Sequence, residues 1–388
     1  MMMINKKKIS LVVFLLLSLS LSSVLFSFFI SSLTLFFSLA LSFFLFEKRK
    51  FSKKNIKFFL IISVPFWLTL VSLVFSYDVE NAISILVKRL PIFLVPFIGI
   101  LACENIQKKD FISFFWVLLI GFSLVNFYGL VKGFVFYLEK DSFFDSKNLF
   151  YIYPTQHVYL ATYNIFVLVS SIFLYSKIKT QFKTIFIVLN CVLILSFIFL
   201  SSKMALITLI ICLVLIFFSK FNTRNAVLYS IILFFLVLLM FIIFEPFLDR
   251  IKSLVSGPDP RVTIWDCVLE KIRINNYLNF IPIGDYQKHL DYCYYQKEFK
   301  FYLDGYNTHN QFLEIWLTNG LLGLIVYMSS LFSLFKYSIK AKKKIMSYFL
   351  IITILFSITE TIFQRQYGIM FYSVLLTVFV FSPFEFSE

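Results

Sequence analysis

The chain has 388 residues, of which 60% are hydrophobic and 20% aromatic, and its formal net charge is +15. A soluble domain would not stay soluble with this composition, and long apolar runs are typical of membrane spans. The positive charges lie in short segments between those runs rather than in one patch, which indicates a lipid bilayer and no nucleic acid as partner.

A transmembrane helix needs about 20 apolar residues, and on this measure the sequence predicts twelve spans. The first apolar stretch, residues 9–46, has no small-residue cleavage site, so it is interpreted as two retained helices with a turn at residues 20–23. The remaining predicted spans are residues 58–76, 83–102, 111–138, 157–175, 184–200, 204–219, 226–244, 311–335, 345–362 and 367–381.

Lysine and arginine alternate between the connecting segments as the positive-inside rule requires, which predicts cytoplasmic termini. Residues 1–388 are therefore predicted to form one all-α, polytopic integral membrane domain. Residues 245–309 form its large outer (periplasmic) loop, which should contain short helices. Cys267 and Cys293 share this loop and could pair if it faces an oxidising compartment, but the sequence favours two free thiols.

Ionisable residues inside a membrane are costly and are functional candidates by default. The predicted topology places five cations at one depth on the outer face, which suits a pyrophosphate or another polyanion. The alternative is that each cation snorkels or pairs with a nearby acid such as Glu80 or Glu360. The five residues are Lys88, Arg89, Lys203, Arg261 and Arg365.

Arg261 follows a turn in which Asp259 is a suitable N-cap and Pro260 a suitable first helical residue. The sequence thus predicts a helix that begins beside Arg261, where backbone N–H groups also favour an anion. An ordinary interfacial arginine is the alternative.

His309 lies where the outer loop re-enters the membrane. Thr308 and Gln311 match a capping box, which makes His309 the predicted first residue of the tenth span. The positive end of that helix should keep the imidazole neutral and able to accept a proton. A structural histidine is the alternative reading. The polar residues predicted to bind sugar hydroxyls or to support the site are Asn307, Asn310, Glu314, Glu360 and His157.

Six short segments follow one another along the chain in a fixed order: Ser202-Lys203, the Arg261 to Trp265 segment, Ile281 to Gly284, His309 to Leu313, Asn319 to Gly323, and Glu360 to Gly368. In this order on a twelve-span topology, they resemble the O-antigen ligase and polymerase-like family of bacterial membrane glycosyltransferases.

The resemblance implies transfer of a glycan from undecaprenyl pyrophosphate to an acceptor hydroxyl, such as that of a lipid-A core, at the outer face of the inner membrane. It implies neither metal nor other cofactor, since fixed cations can neutralise the leaving pyrophosphate. Arg261 would hold the pyrophosphate, and His309 would help to activate the acceptor. Lys203 stands where the family often has arginine, and lysine supplies charge without a bidentate fork.

Attack from the face opposite the leaving group would invert the anomeric centre. A polymerase of the same family, whose acceptor is another lipid-linked glycan, remains open. A polysaccharide transporter or export component is the alternative from another class. It is disfavoured because the chain has only 10 glycines and no visible internal repeat.

Overall fold

The computed structural model describes residues 2–76, 78–140, 152–153, 155–200, 202–243, 260–274, 286–297 and 305–383, and the regular elements in these ranges are all helices. The chain divides into two compact units, one formed by Met1–Phe114 with Asp259–Glu388 and the other by Phe115–Pro258. The predicted outer loop is described in two helical pieces.

The first unit holds most of the helices. They are α1 (Met2–Ser23), α2 (Phe28–Phe43), α3 (Lys53–Ile62), α4 (Val64–Leu73), α5 (Val79–Arg89), α6 (Pro91–Ala102), the start of α7 (Lys108–Lys140), α12 (Pro260–Ile274), α13 (Gln287–Gln296), α14 (Gln311–Lys340), α15 (Lys344–Ser357) and α16 (Gln366–Phe381). The second unit contains the rest of α7 with α8 (His157–Leu174), α9 (Lys183–Leu200), α10 (Lys203–Lys220) and α11 (Thr223–Ile243).

Six helices of the described chain are long and apolar enough to cross a membrane, or seven if the bent pair α3 and α4 forms one span. Three shorter apolar helices, α2, α15 and α16, add to these. The all-helical class is confirmed, while the count of twelve spans stays a prediction.

The first predicted pair of helices is present, but its turn follows Ser23 instead of lying at residues 20–23. Ser20 and Ser31 explain the shift, because each hydroxyl donates to the other residue's backbone carbonyl at 2.8 Å. These serines lie inside the α1–α2 contact, where small residues let two helices approach closely. The serine-rich segment is therefore a packing surface, and the helix continues through it.

The predicted span at residues 58–76 is broken, with α3 and α4 bent by 60°. Pro65 near the start of α4 cannot donate a backbone hydrogen bond. A second break lies in α14 at Gly320, whose φ of 68° is a conformation that favours glycine. The two breaks are joined, because the Asn319 amide donates to the Leu68 carbonyl at 2.6 Å. This contact fixes the first turns of α14 against α4.

Helices α12 and α13 are held together by a disulfide between Cys267 and Cys293, with 5.8 Å between the Cα atoms. The expectation of two free thiols is therefore wrong. The physical reason is packing, because Ile264, Val268 and Leu290 are buried in one apolar cluster that brings the two helices face to face. Leu317 of α14 belongs to the same cluster, so these helices pack on the membrane part of their own unit.

The second unit has a buried polar contact of its own. Asn126 and Asn164 exchange amide hydrogen bonds of 2.9 and 2.8 Å, and the Ser196 hydroxyl donates to Asn126. These residues join α7, α8 and α9. Satisfied polar contacts between apolar helices fix their register, since an unpaired amide would be costly there.

Candidate functional site

A buried ion pair between Arg89 and Glu314 forms the base of the candidate site. The guanidinium of Arg89, the last residue of α5, donates to the Glu314 carboxylate at 2.6 Å, and the two side chains are 7% and 1% exposed. Arg89 also donates to the Thr69 hydroxyl at 2.8 Å. A buried charge is tolerated only when it is paired and hydrogen-bonded, and both conditions hold here.

The same network forms hydrogen bonds with the short segment before α16, a 3₁₀ turn at Ile362–Gln364. The Phe363 carbonyl accepts from Arg89 at 3.0 Å, and the Phe363 N–H donates to the Gln311 side chain at 2.9 Å. The Gln364 amide donates to Glu314 at 2.8 Å. Three side chains from two other helices therefore fix the position of this segment.

Gly368 allows the segment to turn back on α16. A Cβ added at Gly368 would lie 2.0 Å from the Ile362 carbonyl oxygen, a distance that backbone atoms cannot accommodate. Glycine is thus required by a close approach of backbone to backbone.

Tyr286, just before α13, reaches the same network, and its hydroxyl accepts from the Gln364 amide at 3.3 Å. Burial, together with the nearby Glu314 carboxylate, raises the pKa of the Tyr286 hydroxyl well above its ordinary value. The phenol therefore stays protonated.

Glu360 presents its two oxygens to the two residues predicted to carry the chemistry. One oxygen accepts from the Arg261 guanidinium at 2.9 Å, and the other lies 3.6 Å from His309 Nδ1. Glu360 is 11% exposed, His309 24% and Arg261 30%. A nearly buried carboxylate thus joins a cation and an imidazole that both remain open to solvent.

The structure corrects the predicted helix start at His309. The N-cap is Asn310, whose side-chain oxygen accepts from the Phe312 and Leu313 N–H groups at 2.9 and 3.0 Å. Thr308 does not cap the helix; its hydroxyl instead donates to the Asn310 carbonyl at 2.9 Å. His309 therefore precedes the helix and is not its first residue.

His309 adopts a φ of 45°, which is uncommon for a residue with a side chain. Its N–H donates to the Asn307 side chain at 3.0 Å, and its ring lies 5.7 Å from that of Tyr306. Non-glycine residues in this region persist only where the surroundings hold them, and they cluster at functional sites. Asn307 and Asn310 therefore shape the backbone on either side of the imidazole.

The pieces of the predicted outer loop are tied to this turn. The Trp265 indole donates to the Thr308 carbonyl at 3.0 Å, and Trp265 lies one turn beyond Arg261 on α12. Helix α12 is described from Pro260 onward, and its predicted N-cap Asp259 lies outside the described residues. Lys297, just after α13, pairs with Asp266 and Glu270 of α12, so ion pairs reinforce the disulfide between these two helices.

The other predicted residues are placed as follows. Lys88 and Arg365 are exposed side chains next to Arg89 and Gln364 respectively. Lys203 and His157 lie in the second unit, each as the first residue of a helix. The structure therefore pairs Arg89 with Glu314, and it brings Arg261 and His309 to the two oxygens of Glu360.

Gln311 and Gln364 are the site residues that sequence reasoning missed. Gln311 was assigned only to a capping box, although its side chain bonds both Phe363 and Glu314. The one available signal for Gln364 was its position in a polar run between two apolar spans.

Comparison with known proteins gives one family match. Residues 188–328 match the family model described as O-Antigen ligase. No curated protein matches the chain. The matched segment contains Lys203, Arg261, His309 and Glu314, while Arg89 and Glu360 lie outside it. The match confirms, for residues 188–328, the resemblance inferred from the sequence, and the candidate spans of the described residues indicate a multi-pass membrane protein.

Proposed function

We propose that the chain transfers a glycan from undecaprenyl pyrophosphate to an acceptor hydroxyl at the outer face of the inner membrane. The observation that carries this proposal is the Glu360 carboxylate, which lies between Arg261 and His309. A fixed cation and an oriented imidazole are the two groups that the transfer requires, one for the leaving pyrophosphate and one for the attacking hydroxyl.

Arg261 is proposed to bind the departing pyrophosphate. Its side chain is 30% exposed, so a phosphate can reach it while Glu360 holds it near the turn at His309. The planar guanidinium presents several donors in a fork that matches phosphate oxygens. The arginine lies near the start of α12, where the helix dipole favours the same negative charge.

His309 is proposed to accept the proton of the acceptor hydroxyl at Nε2. Its Nδ1 faces Glu360 at 3.6 Å, longer than a hydrogen bond. Such contacts in a resting enzyme shorten when substrate closes the site. The carboxylate would then fix the ring orientation and stabilise the imidazolium that forms, the role that a buried acid has beside a catalytic histidine.

Arg89 and Glu314 are proposed as positioning residues. The donors of Arg89 point at Thr69, Phe363 and Glu314 instead of at an open surface. Their network holds the 3₁₀ turn Ile362–Gln364, which begins two residues after Glu360. Lys88 and Arg365 remain proposed contacts of the pyrophosphate, and Asn307 and Asn310 remain supporting residues. The roles predicted for Lys203 and His157, which lie in the second unit, stay predictions.

Fixed cations would replace a divalent metal in this reaction, because they neutralise the pyrophosphate as it leaves. The sugar carbon forms a bond to the acceptor oxygen as its bond to the pyrophosphate oxygen breaks. The acceptor proton passes to His309. With the nucleophile opposite the leaving group, the anomeric configuration inverts.

Glycan analysis of a deletion strain, complemented with the wild-type chain or with Arg261→Ala, tests this function. Loss of all attached polymer supports transfer to a lipid-A core or another terminal acceptor. Attached single repeats instead support a polymerase, whose acceptor is another lipid-linked glycan. Donor that accumulates only in the inner leaflet supports a transporter and contradicts the proposal.

A further inference from the structure

Two side chains of α13 donate to the backbone of the turn that carries His309. The Gln287 amide and the Tyr294 hydroxyl both donate to the Tyr306 carbonyl, at 3.2 and 3.3 Å. A carbonyl oxygen has two lone pairs, so it can accept both bonds. Tyr306 lies three residues before His309. The two bonds therefore hold the start of the turn.

The turn has an uncommon backbone that needs such support. Gly305 and His309 both have a positive φ, of 59° and 45°, and a residue with a side chain persists there only where its surroundings hold it. Directly before His309, the Thr308 carbonyl accepts from Trp265 of α12 at 3.0 Å. Side chains of α12 and α13 thus hold two backbone carbonyls of the turn, and the position of the imidazole depends on them.

The donors of α13 are themselves fixed. Tyr294 is completely buried in the apolar cluster between α12 and α13, and the disulfide joins these two helices. Gln287 also donates to Asp291, one turn further along α13, at 2.8 Å. A donor that is held in place can fix a backbone group, whereas a mobile donor would follow that group.

We propose that Gln287 and Tyr294 are positioning residues for the proton transfer, because they hold His309 in the orientation that the reaction requires. The inference rests on the function proposed above and adds two residues to its site. Both act through the Tyr306 carbonyl. The Tyr306 ring lies 5.7 Å from that of His309, so a shift of Tyr306 also moves the aromatic ring beside the imidazole. Misplacing a catalytic group by about 1 Å can lower a rate by about 10²-fold.

A double variant on α13 tests the inference with purified protein in lipid nanodiscs. Gln287→Met with Tyr294→Phe removes both donors and nearly keeps the size of each side chain. Asp291→Ala with Tyr292→Phe is the matched control on the same helix. It removes the other acceptor of Gln287 and the hydroxyl of a tyrosine that is 58% exposed. Transfer is measured as kcat and as the KM of the lipid-linked donor.

The Gln287 and Tyr294 variant should lower kcat by about 10-fold to 10²-fold and leave the donor KM unchanged, because it moves the base and not the donor. In a His309→Ala background, the same two changes should lower kcat no further, since they act through the imidazole. The control variant should keep the wild-type values. An unchanged kcat, or an equal fall with and without the imidazole, would overturn the inference.

Chemical modification of His309 gives a readout that is independent of catalysis. The rate of its reaction with diethyl pyrocarbonate is followed by peptide mass spectrometry. His309 is 24% exposed in the turn, so loss of both donors should raise this rate severalfold, and the control variant should leave it unchanged. An unchanged rate in the Gln287 and Tyr294 variant would overturn the inference, while glycan transfer by the wild type would keep the proposed function. A raised rate in a protein whose wild type transfers no glycan would reject the proposed function and retain the positioning of His309.

His157 in the second unit is the internal reference for folding, because a locally loosened turn should not change its modification rate. A rise at both histidines would indicate general unfolding of the double variant. Tyr294→Phe alone, which removes a single oxygen atom, then decides by the same measure. A raised rate at His309 only supports the inference, and an unchanged rate overturns it.

Discussion

The buried pair of Arg89 and Glu314 makes a prediction about stability that depends on few assumptions. Glu314→Gln keeps the size of the side chain but removes its charge, which leaves the Arg89 guanidinium, 7% exposed, without a counter-ion. Breaking a buried pair by removing one partner costs about 3–5 kcal/mol, because the remaining charge is desolvated and uncompensated. The variant should therefore lose this much free energy of unfolding.

Removing both charges should cost less than the two single changes predict. Arg89→Met leaves the Glu314 carboxylate without its cation, and Glu314→Leu leaves the Arg89 guanidinium without its anion. The double variant leaves neither charge. Residues in one network commonly show interaction energies of about 0.5–3 kcal/mol. We expect the double variant to be more stable than the sum of the singles by an amount in this range.

The assay is denaturant titration of the purified variants in mixed micelles, with tryptophan fluorescence as the signal. Glu80→Gln, the same chemical change at an exposed position of α5, is the matched control and should stay within about 0.5 kcal/mol of wild type. Wild-type stability of Glu314→Gln, or strict additivity in the double variant, would show that the pair does not organise the site.

Three further predictions concern the reaction and the topology. Arg261→Ala should weaken donor binding and slow transfer, and Arg261→Lys should recover only part of both, because lysine lacks the planar fork. Full recovery in Arg261→Lys would show that only the positive charge at this position matters. Purified protein should continue to transfer glycan in excess chelator. A loss of transfer that added Mg²⁺ or Mn²⁺ reverses would contradict the proposal that fixed cations replace a metal. In intact spheroplasts, an impermeant maleimide should label a cysteine placed at the exposed Lys288 of α13, while Lys342→Cys should stay unlabelled. The reverse pattern would place α12 and α13 in the cytoplasm.

The features that the sequence predicts correctly are local ones. Apolar runs predict helices whatever their partners, and the segment that follows Pro260 is helical as its sequence predicts. Arg261 and His309 are likewise candidates on local grounds, the turn before Arg261 and the polar segment around His309, and their roles stay predictions. These inferences need only neighbours along the chain.

The features that were missed depend on contacts far apart in sequence. Arg89 and Glu314 are separated by 225 residues, so no local pattern could pair them. The disulfide follows from packing between α12 and α13, which was not visible in the cysteine spacing. At His309, the predicted cap Thr308 is replaced by Asn310, and the Thr308 carbonyl is held by Trp265, 43 residues away in the sequence.

The central claim is that His309 accepts the acceptor proton while Glu360 orients it, and single-turnover transfer by reconstituted protein tests it most directly. His309→Ala should lower the transfer rate by about 10²–10⁴, the usual contribution of general-base help, with donor affinity nearly unchanged. Glu360→Gln should lower the rate less than His309→Ala, and Glu360→Asp should recover part of it. Transfer by His309→Ala at the wild-type rate would contradict the account.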